Sequence, residues 1–279
     1  MLEWKESPVL IAGGDAELLI ARHFYFGVAF NAGIPMYIGQ MYDYDWFMNT
    51  NICQSRSISP EKLTELYYTD FDFGYKIDLT SSLSLIPLVG VSYKYINFYA
   101  DDQPLVYADE DRYDSNIISW DSPEAEAHPG SWISYWRSTL LFWIGTSVNY
   151  SVNNKISFNC SFKIAPYISA TSEDNHPKTG RPIIDENGNE FFLCTSRHYL
   201  QDLPTGCFNA FNLMLSSQIR LSKMLSLNLK IEGFYLGLIT GPTYTSSESG
   251  ILGGEESSLY IGDTQKDLTF SLGFKINLF

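Results

Sequence analysis

Residues 225–232 read LSLNLKIE, with an apolar residue at every odd position and a polar residue at every even one. Residues 268–278, LTFSLGFKINL, and residues 156–164, ISFNCSFKI, follow the same period of two. Successive side chains of a β-strand point to opposite faces, so this period predicts strands with one apolar and one polar face. The apolar face points inward in a soluble sandwich and outward to lipid in a membrane barrel.

Loop lengths favour the membrane barrel, because short turn signals alternate with long polar stretches. The turn signals lie at residues 80–82, 152–154 and 222–223, and the long stretches lie near residues 42–62, 101–130, 173–196 and 241–263. Such alternation is typical of outer-membrane barrels, which have short periplasmic turns and longer extracellular loops. We predict an all-β fold, an antiparallel up-and-down transmembrane β-barrel that forms a single domain over residues 1–279.

The pattern predicts nine strands. They lie at about residues 3–20, 23–40, 62–78, 83–100, 131–150, 155–172, 190–220, 224–240 and 262–279. Bacterial single-chain barrels have even strand numbers, and an unpaired edge in lipid is costly. We therefore expect that an N-terminal strand and a signal peptide are absent from these residues.

Composition agrees with a membrane barrel and excludes other classes. Aromatic residues make up 15% of the chain although its mean hydropathy is only −0.10, as expected for aromatic girdles at two membrane interfaces. The sequence lacks 18 uninterrupted apolar residues, which excludes a transmembrane helix. A net charge of −14 argues against nucleic-acid binding, which needs a basic face, and favours a cationic partner.

Two short acidic motifs end predicted strands and precede long loops. Asp43 and Asp45 lie in MYDYDW at residues 41–46, and Asp174 and His176 lie in SEDNH at residues 172–176. Residues two apart in an extended chain share a face, about 7 Å from each other. Each motif therefore presents two ionisable groups on one side of its strand.

A carboxylate pair that faces an Asp–His pair can hold and activate a water molecule. The Asp orients the imidazole, the His takes the proton of the water, and two close carboxylates can share a proton. Spacing alone leaves two alternatives open: solvated loop ends, and a divalent-cation site built from three carboxylates and one His. We favour proteolysis over metal binding.

The sequence resembles the omptin family of outer-membrane proteases, and the match is colinear over nearly the whole chain. The matching segments are LEWK at residues 2–5, MYDYDW at residues 41–46, Ser55-Arg56, Asp174-Asn175-His176, Glu232-Gly233 and the terminal Phe279. The resemblance implies a ten-stranded antiparallel barrel with an active-site groove at its extracellular rim. Because the match begins at the second strand of the family, the absent strand would be the first.

The resemblance also implies an endopeptidase. A water held between His176 and Asp43 would attack the scissile carbonyl, with Asp174 orienting His176 and Asp45 supporting Asp43 and the developing oxyanion. No covalent acyl-enzyme and no metal or other cofactor is expected. Omptins favour peptide bonds next to basic residues, so the expected partners are peptides or proteins that carry such residues.

Four further positions are expected to bind the substrate: Met41, Ile133, Ser172 and Glu173. Ile133 falls where omptins have an isoleucine in the groove. Ser172 occupies the position of a family acid that binds a basic side chain, and the neighbouring Glu173 is a candidate substitute for that acid.

The sequence leaves open whether the protein requires a lipid and whether it is an enzyme. The cluster with which omptins bind lipopolysaccharide reads Val91, Tyr93, Tyr95 and Ser138 here, which is less basic than in the family. We expect a single copy in the outer membrane with the active site facing the cell exterior. The alternatives are a non-enzymatic adhesin or receptor on the same barrel, and a passive pore.

Overall fold

A computed structural model gives the fold. It describes residues 2–6, 8–46, 53–100, 105–107, 121, 126–128, 133–176, 182–184, 190–192, 197–204, 208–246 and 255–276. Within this part of the chain the regular structure is β, the sheets are antiparallel, and no helix is long and apolar enough to cross a bilayer.

The described residues form seventeen β-elements. They are β1 (Leu2–Glu6), β2 (Ile11–Ile20), β3 (Phe24–Gly33), β4 (Met36–Trp46), β5 (Cys53–Tyr75), β6 (Ile77–Asp78), β7 (Leu83–Ala100), β8 (Leu105–Tyr107), β9 (Glu126–His128), β10 (Ile133–Ser151), β11 (Ile156–His176), β12 (Pro182–Ile184), β13 (Glu190–Phe192), β14 (Arg197–Pro204), β15 (Ala210–Arg220), β16 (Leu225–Ser246) and β17 (Glu255–Ile276). Most of them belong to one sheet, and β12 and β13 form a separate hairpin.

The sheet follows chain order, as an up-and-down barrel requires. Pairing runs from β1 and β2 to β3 and β4, then through β5, β7, β10 and β11 to β14 and β15, and ends with β16 and β17. Several of the predicted strands are therefore built from two consecutive elements. The predicted all-β antiparallel fold is confirmed.

The two edges of the sheet face each other. Within the described residues no ladder joins β2 to β17, so the sheet is not closed by backbone hydrogen bonds. The side chain of Lys275 on β17 nevertheless forms an ion pair with Glu17 on β2. The sheet thus curves into a barrel with an open seam. The tenth strand expected from the sequence stays a prediction.

Three short turns at one end of the barrel use the same polar device. The side-chain oxygens of Thr80, Asn153 and Ser222 each accept hydrogen bonds from two backbone N–H groups two and three residues later. These bonds satisfy donors that the tight chain reversal leaves outside the ladders. The three predicted turn signals are therefore confirmed.

In the half of the barrel next to these turns, apolar side chains point outward. Phe71 and Phe73 on β5 are 54% and 43% exposed, whereas Asp70 and Asp72, which alternate with them, are partly buried. On β7, Val89 is 52% exposed while Ser92 is buried in the interior. An apolar outside and a polar inside is the reverse of a soluble fold and the arrangement of a membrane barrel.

An ion pair arches over the inner surface of two strands. The Nζ atom of Lys163 on β11 lies 2.7 and 2.6 Å from the carboxylate oxygens of Asp72 on β5, across the intervening β7 and β10. Glycines lie beneath both ends, since Asp72 pairs with Gly90 and Lys163 pairs with Gly145. A Cβ at Gly90 would collide with the Asp72 carboxylate, and one at Gly145 would lie 3.0 Å from the Lys163 Cα. The absent side chains leave room for the arch.

Candidate active site at the long-loop end of the barrel

The first acidic motif forms the end of β4. Asp43 pairs with Leu2 of β1 and Ser57 of β5, and Asp45 pairs with Ser55 of β5. Both aspartates are thus part of a strand that is hydrogen-bonded on at least one side, at the end of the barrel opposite the short turns. The predicted placement of this motif at a strand end is what the structure shows.

The second motif forms the end of β11. Asp174 pairs with Tyr135 of β10 and Tyr199 of β14, and His176 pairs with Arg197 of β14. This stretch of β11 therefore lies within the sheet, with a neighbour on each side. It ends at the same end of the barrel as the tip of β4.

In each motif the two ionisable positions alternate in phase with a fully buried residue of the same strand. Met41 is fully buried, and positions 43 and 45 follow it on the same side of β4. Ser172 is also fully buried, and positions 174 and 176 follow it on the same side of β11. The side chains of Asp43, Asp45, Asp174 and His176 themselves lie outside the described part of the structure.

A small apolar cluster joins β4, which carries the first motif, to β10, the strand that pairs with the second motif on β11. Met41 of β4, Ala100 of β7 and Ile133 of β10 are buried together. Met41 lies one inner position below Asp43, and Ile133 begins the strand that pairs with the end of β11. Met41 and Ile133, both predicted to bind substrate, thus meet on the inner wall between the two motifs.

A second apolar layer lies below this cluster. It contains Ile38, Leu63, Leu66, Ile96 and Phe98, and Tyr135, which pairs with Asp174, packs against it. A motif supported from below by packed side chains is held more precisely than one on a free loop.

The other two predicted substrate-binding residues lie on opposite faces of β11. Ser172 is fully buried on the inner face and pairs with Arg137. Glu173 is partly exposed on the outer face, where it interacts electrostatically with Tyr95, a residue whose ring stacks on Trp136. The structure therefore does not bring the Glu173 carboxylate to the position that Ser172 occupies.

Two buried charged residues of the inner wall were missed by the sequence analysis. Glu61 of β5 is fully buried and pairs with Ala100, which belongs to the cluster between the motifs. Arg137 is 8% exposed, and its Nη2 atom donates a hydrogen bond of 2.6 Å to Gln265 of β17. Arg137 alternates in phase with the buried Ile133, which was an available signal, whereas Glu61 lies beyond a register shift of β5 between Leu63 and Glu65 that the sequence does not mark.

The fold defines a membrane β-barrel in which the two acidic motifs end strands at the rim opposite its short turns. The crystal structure of the outer membrane protease OmpT from Escherichia coli is similar to it, with a TM-score of 0.76 and 13% sequence identity. The similarity covers 99% of this chain and 86% of that protein. At this identity the likeness establishes the fold.

The family follows from the sequence itself. The model of the omptin family matches residues 1–196, more than half of the chain. The chain therefore belongs to the omptin family of outer-membrane proteases. No curated protein matches it significantly.

Proposed function

We propose that this protein is an endopeptidase in which Asp43, Asp45, Asp174 and His176 activate a water molecule for attack on a peptide bond. The observation that carries the proposal is the convergence of two strand ends. The two strands that carry the motifs end at the same end of one barrel, and a buried cluster joins β4 to β10, the neighbour of β11. Membership of a protease family supports the same reaction.

The roles follow from general acid–base chemistry. His176 accepts a proton from the water while the water oxygen forms a bond to the peptide carbonyl carbon. His176 then donates a proton to the departing amine as the C–N bond breaks. Asp174 orients the imidazole and stabilises its cationic form. Asp43 holds the water from the opposite wall, and Asp45 shares the proton and charge of that pair. Because water is the nucleophile, no acyl-enzyme forms.

We further propose that substrates carry basic residues next to the scissile bond. The chain has 32 acidic and 18 basic residues and a net charge of −14, so its field concentrates cationic peptides near its surface. A specificity acid at Ser172 or Glu173 is not part of this proposal, because Ser172 is uncharged and Glu173 lies on the outer face.

The membrane arrangement completes the proposal. Short turns lie at the periplasmic end of outer-membrane barrels and long loops at the extracellular end. The two motifs lie at the end away from the Thr80, Asn153 and Ser222 turns. The active site accordingly faces the cell exterior in a protein that works as a single copy.

One observation favours a second candidate function. The acid expected beside a basic substrate side chain is replaced by the buried Ser172. A barrel that has lost substrate recognition can act as a surface adhesin or receptor. This alternative predicts binding to proteins outside the cell that is unchanged by His176→Ala.

The test is cleavage of quenched fluorescent peptides by the full chain in detergent micelles or lipid vesicles. An Arg-Arg peptide comes first and a broad peptide library second. Asp43→Asn and His176→Ala are compared with Asp78→Asn and His23→Ala, which change the same residue types at the short-turn end of the barrel.

The proposal predicts loss of about 10³-fold or more in kcat/KM for Asp43→Asn and His176→Ala, and full activity for both controls. Cleavage only at bonds next to Arg or Lys supports the basic substrate class. A folded barrel that cuts no member of the library contradicts the protease assignment and favours the adhesin.

A further inference from the structure

The outer face of β4, directly behind the acidic motif, carries a stack of flat side chains. Tyr42 and Tyr44 alternate with Asp43 and Asp45 along the strand, and their rings are parallel to within 6° with centroids 6.5 Å apart. The guanidinium carbon of Arg56 lies 5.8 Å from the centroid of the Tyr44 ring. We call these three residues, Tyr42, Tyr44 and Arg56, the outer clamp.

The outer clamp joins two strands. Tyr44 and Arg56 are register partners in β4 and β5, so their side chains lie on the same face of the sheet. At the other end of the stack, the hydroxyl of Tyr42 donates a hydrogen bond of 2.8 Å to the Oε1 atom of Gln40. A cation over an aromatic face and a pair of stacked rings are each attractive contacts. Together they hold the tip of β4 against β5 from outside the barrel.

The ladder between β4 and β5 is irregular on both sides of the acidic motif. Its register shifts between Tyr37 and Gly39, and again between Asp45 and Trp46. Such irregularities interrupt the hydrogen bonds of a ladder and let the bulged strand bend. Asp43 thus lies in a short regular segment between two irregularities of this ladder, where side-chain contacts between β4 and β5 add to the restraint from the backbone.

We propose that the outer clamp is a positioning device for Asp43 and Asp45. The inference rests on the proposed protease function. Catalytic side chains must be held to within about 0.5 Å of their productive geometry, and a displacement of about 1 Å can cost up to 10²-fold in rate. The outer clamp lies on the face of β4 opposite to the substrate. From there it restrains the backbone that carries both aspartates.

This placement makes a specific kinetic prediction. Residues of the outer clamp do not touch a substrate in the barrel interior, so their loss leaves KM for a peptide nearly unchanged. The geometry of the carboxylates is disturbed, so kcat falls. A residue that bound the substrate would instead raise KM.

Four single variants of the full chain test the proposal: Tyr44→Leu, Tyr44→Phe, Arg56→Gln and Arg56→Lys. Tyr44→Leu and Arg56→Gln are expected to lower kcat about tenfold with KM within about twofold. Tyr44→Phe keeps the ring and retains nearly full kcat. Arg56→Lys keeps the charge without the planar group, so its kcat is intermediate.

Two comparisons sharpen the result. The double variant Tyr44→Leu/Arg56→Gln is no slower than the slower single one, because both changes break the same contact. Tyr150→Leu is the control and leaves kcat unchanged. It removes a tyrosine of the outer face that is 48% exposed, at the short-turn end of β10. Equal kcat for Tyr44→Leu and the parent, or equal losses for Tyr44→Leu and Tyr44→Phe, would overturn the proposal.

Amide hydrogen exchange tests the outer clamp without relying on activity. Tyr44→Leu is expected to speed exchange about tenfold in the amides of residues 40–45 and to leave those of β7 unchanged. If the parent cleaves no peptide, the protease assignment fails, and the exchange data still decide whether the stack restrains the tip of β4. Unchanged exchange at residues 40–45 would refute the outer clamp even in an active enzyme.

Discussion

The ion pair that arches across the barrel interior gives a quantitative prediction for Asp72→Asn. The change keeps the shape of the side chain and removes its charge, so the ammonium group of Lys163 loses its partner. In the parent this ammonium lies 2.7 and 2.6 Å from the two Asp72 oxygens. The side chains of Lys163 and Asp72 are only 13% and 17% exposed.

The magnitude follows from this burial. Removing one partner of a fully buried ion pair costs about 3 to 5 kcal/mol. Residual contact with water at both groups lowers this value, and we expect the free energy of unfolding to fall by about 2 to 3 kcal/mol. Replacing both members of the pair together, in Asp72→Leu/Lys163→Met, leaves neither of them without its partner and is expected to cost about 1 kcal/mol or less.

The assay is equilibrium unfolding by denaturant in detergent micelles, followed by tryptophan fluorescence. A cost below about 0.5 kcal/mol for Asp72→Asn, which is typical of a solvated surface charge, would show that the ion pair does not stabilise the barrel interior. A double variant that costs as much as the sum of the two single changes would show no coupling between the two residues.

Two further predictions use the same unfolding measurement. Gly90→Ala places a Cβ against the Asp72 carboxylate and should lower the free energy of unfolding by about 1 to 3 kcal/mol. Gly273→Ala, with open space around its Cβ position, should cost less than about 1 kcal/mol. Equal costs for the two variants would refute the arch geometry. Trp143→Phe removes a buried donor that lies 2.6 Å from the Ser92 hydroxyl and should cost about 1 to 3 kcal/mol, so an unchanged unfolding midpoint would show that this bond contributes nothing.

The regular strands could be predicted from the sequence because their signals are local. The strand predicted at residues 83–100 is found as Leu83–Ala100, between a turn signal and a long polar stretch. The strand predicted at residues 3–20 instead divides into β1 and β2, which pair with β4 and β3. β3 and β4 are likewise separated by a break, after Gly33. The backbone N–H of Ile34 donates a hydrogen bond to the carbonyl of Leu10 and so joins the two breaks. That contact joins residues far apart in the sequence, so the alternation along one strand does not predict it.

The candidate site could be predicted in part. Motif spacing and long-loop position placed the acidic groups at strand ends, and the backbone agrees for Asp43 and Asp174. The inner wall around them was not predictable, because β5 shifts its register between Leu63 and Glu65. A bulge reverses which residues face inward, and no local residue pattern locates it. Glu61 was missed for this reason.

In the proposed mechanism the ends of β4 and β11 form one active site. The measurement that tests this claim most directly is the rate of Arg-Arg peptide cleavage by the parent, Asp43→Asn, His176→Ala and the double variant. If both residues activate the same water, each single change lowers kcat/KM about 10³-fold or more, and the double variant is no slower than the single ones. Cleavage at the parent rate by either single variant would contradict an active site shared by the two strand ends.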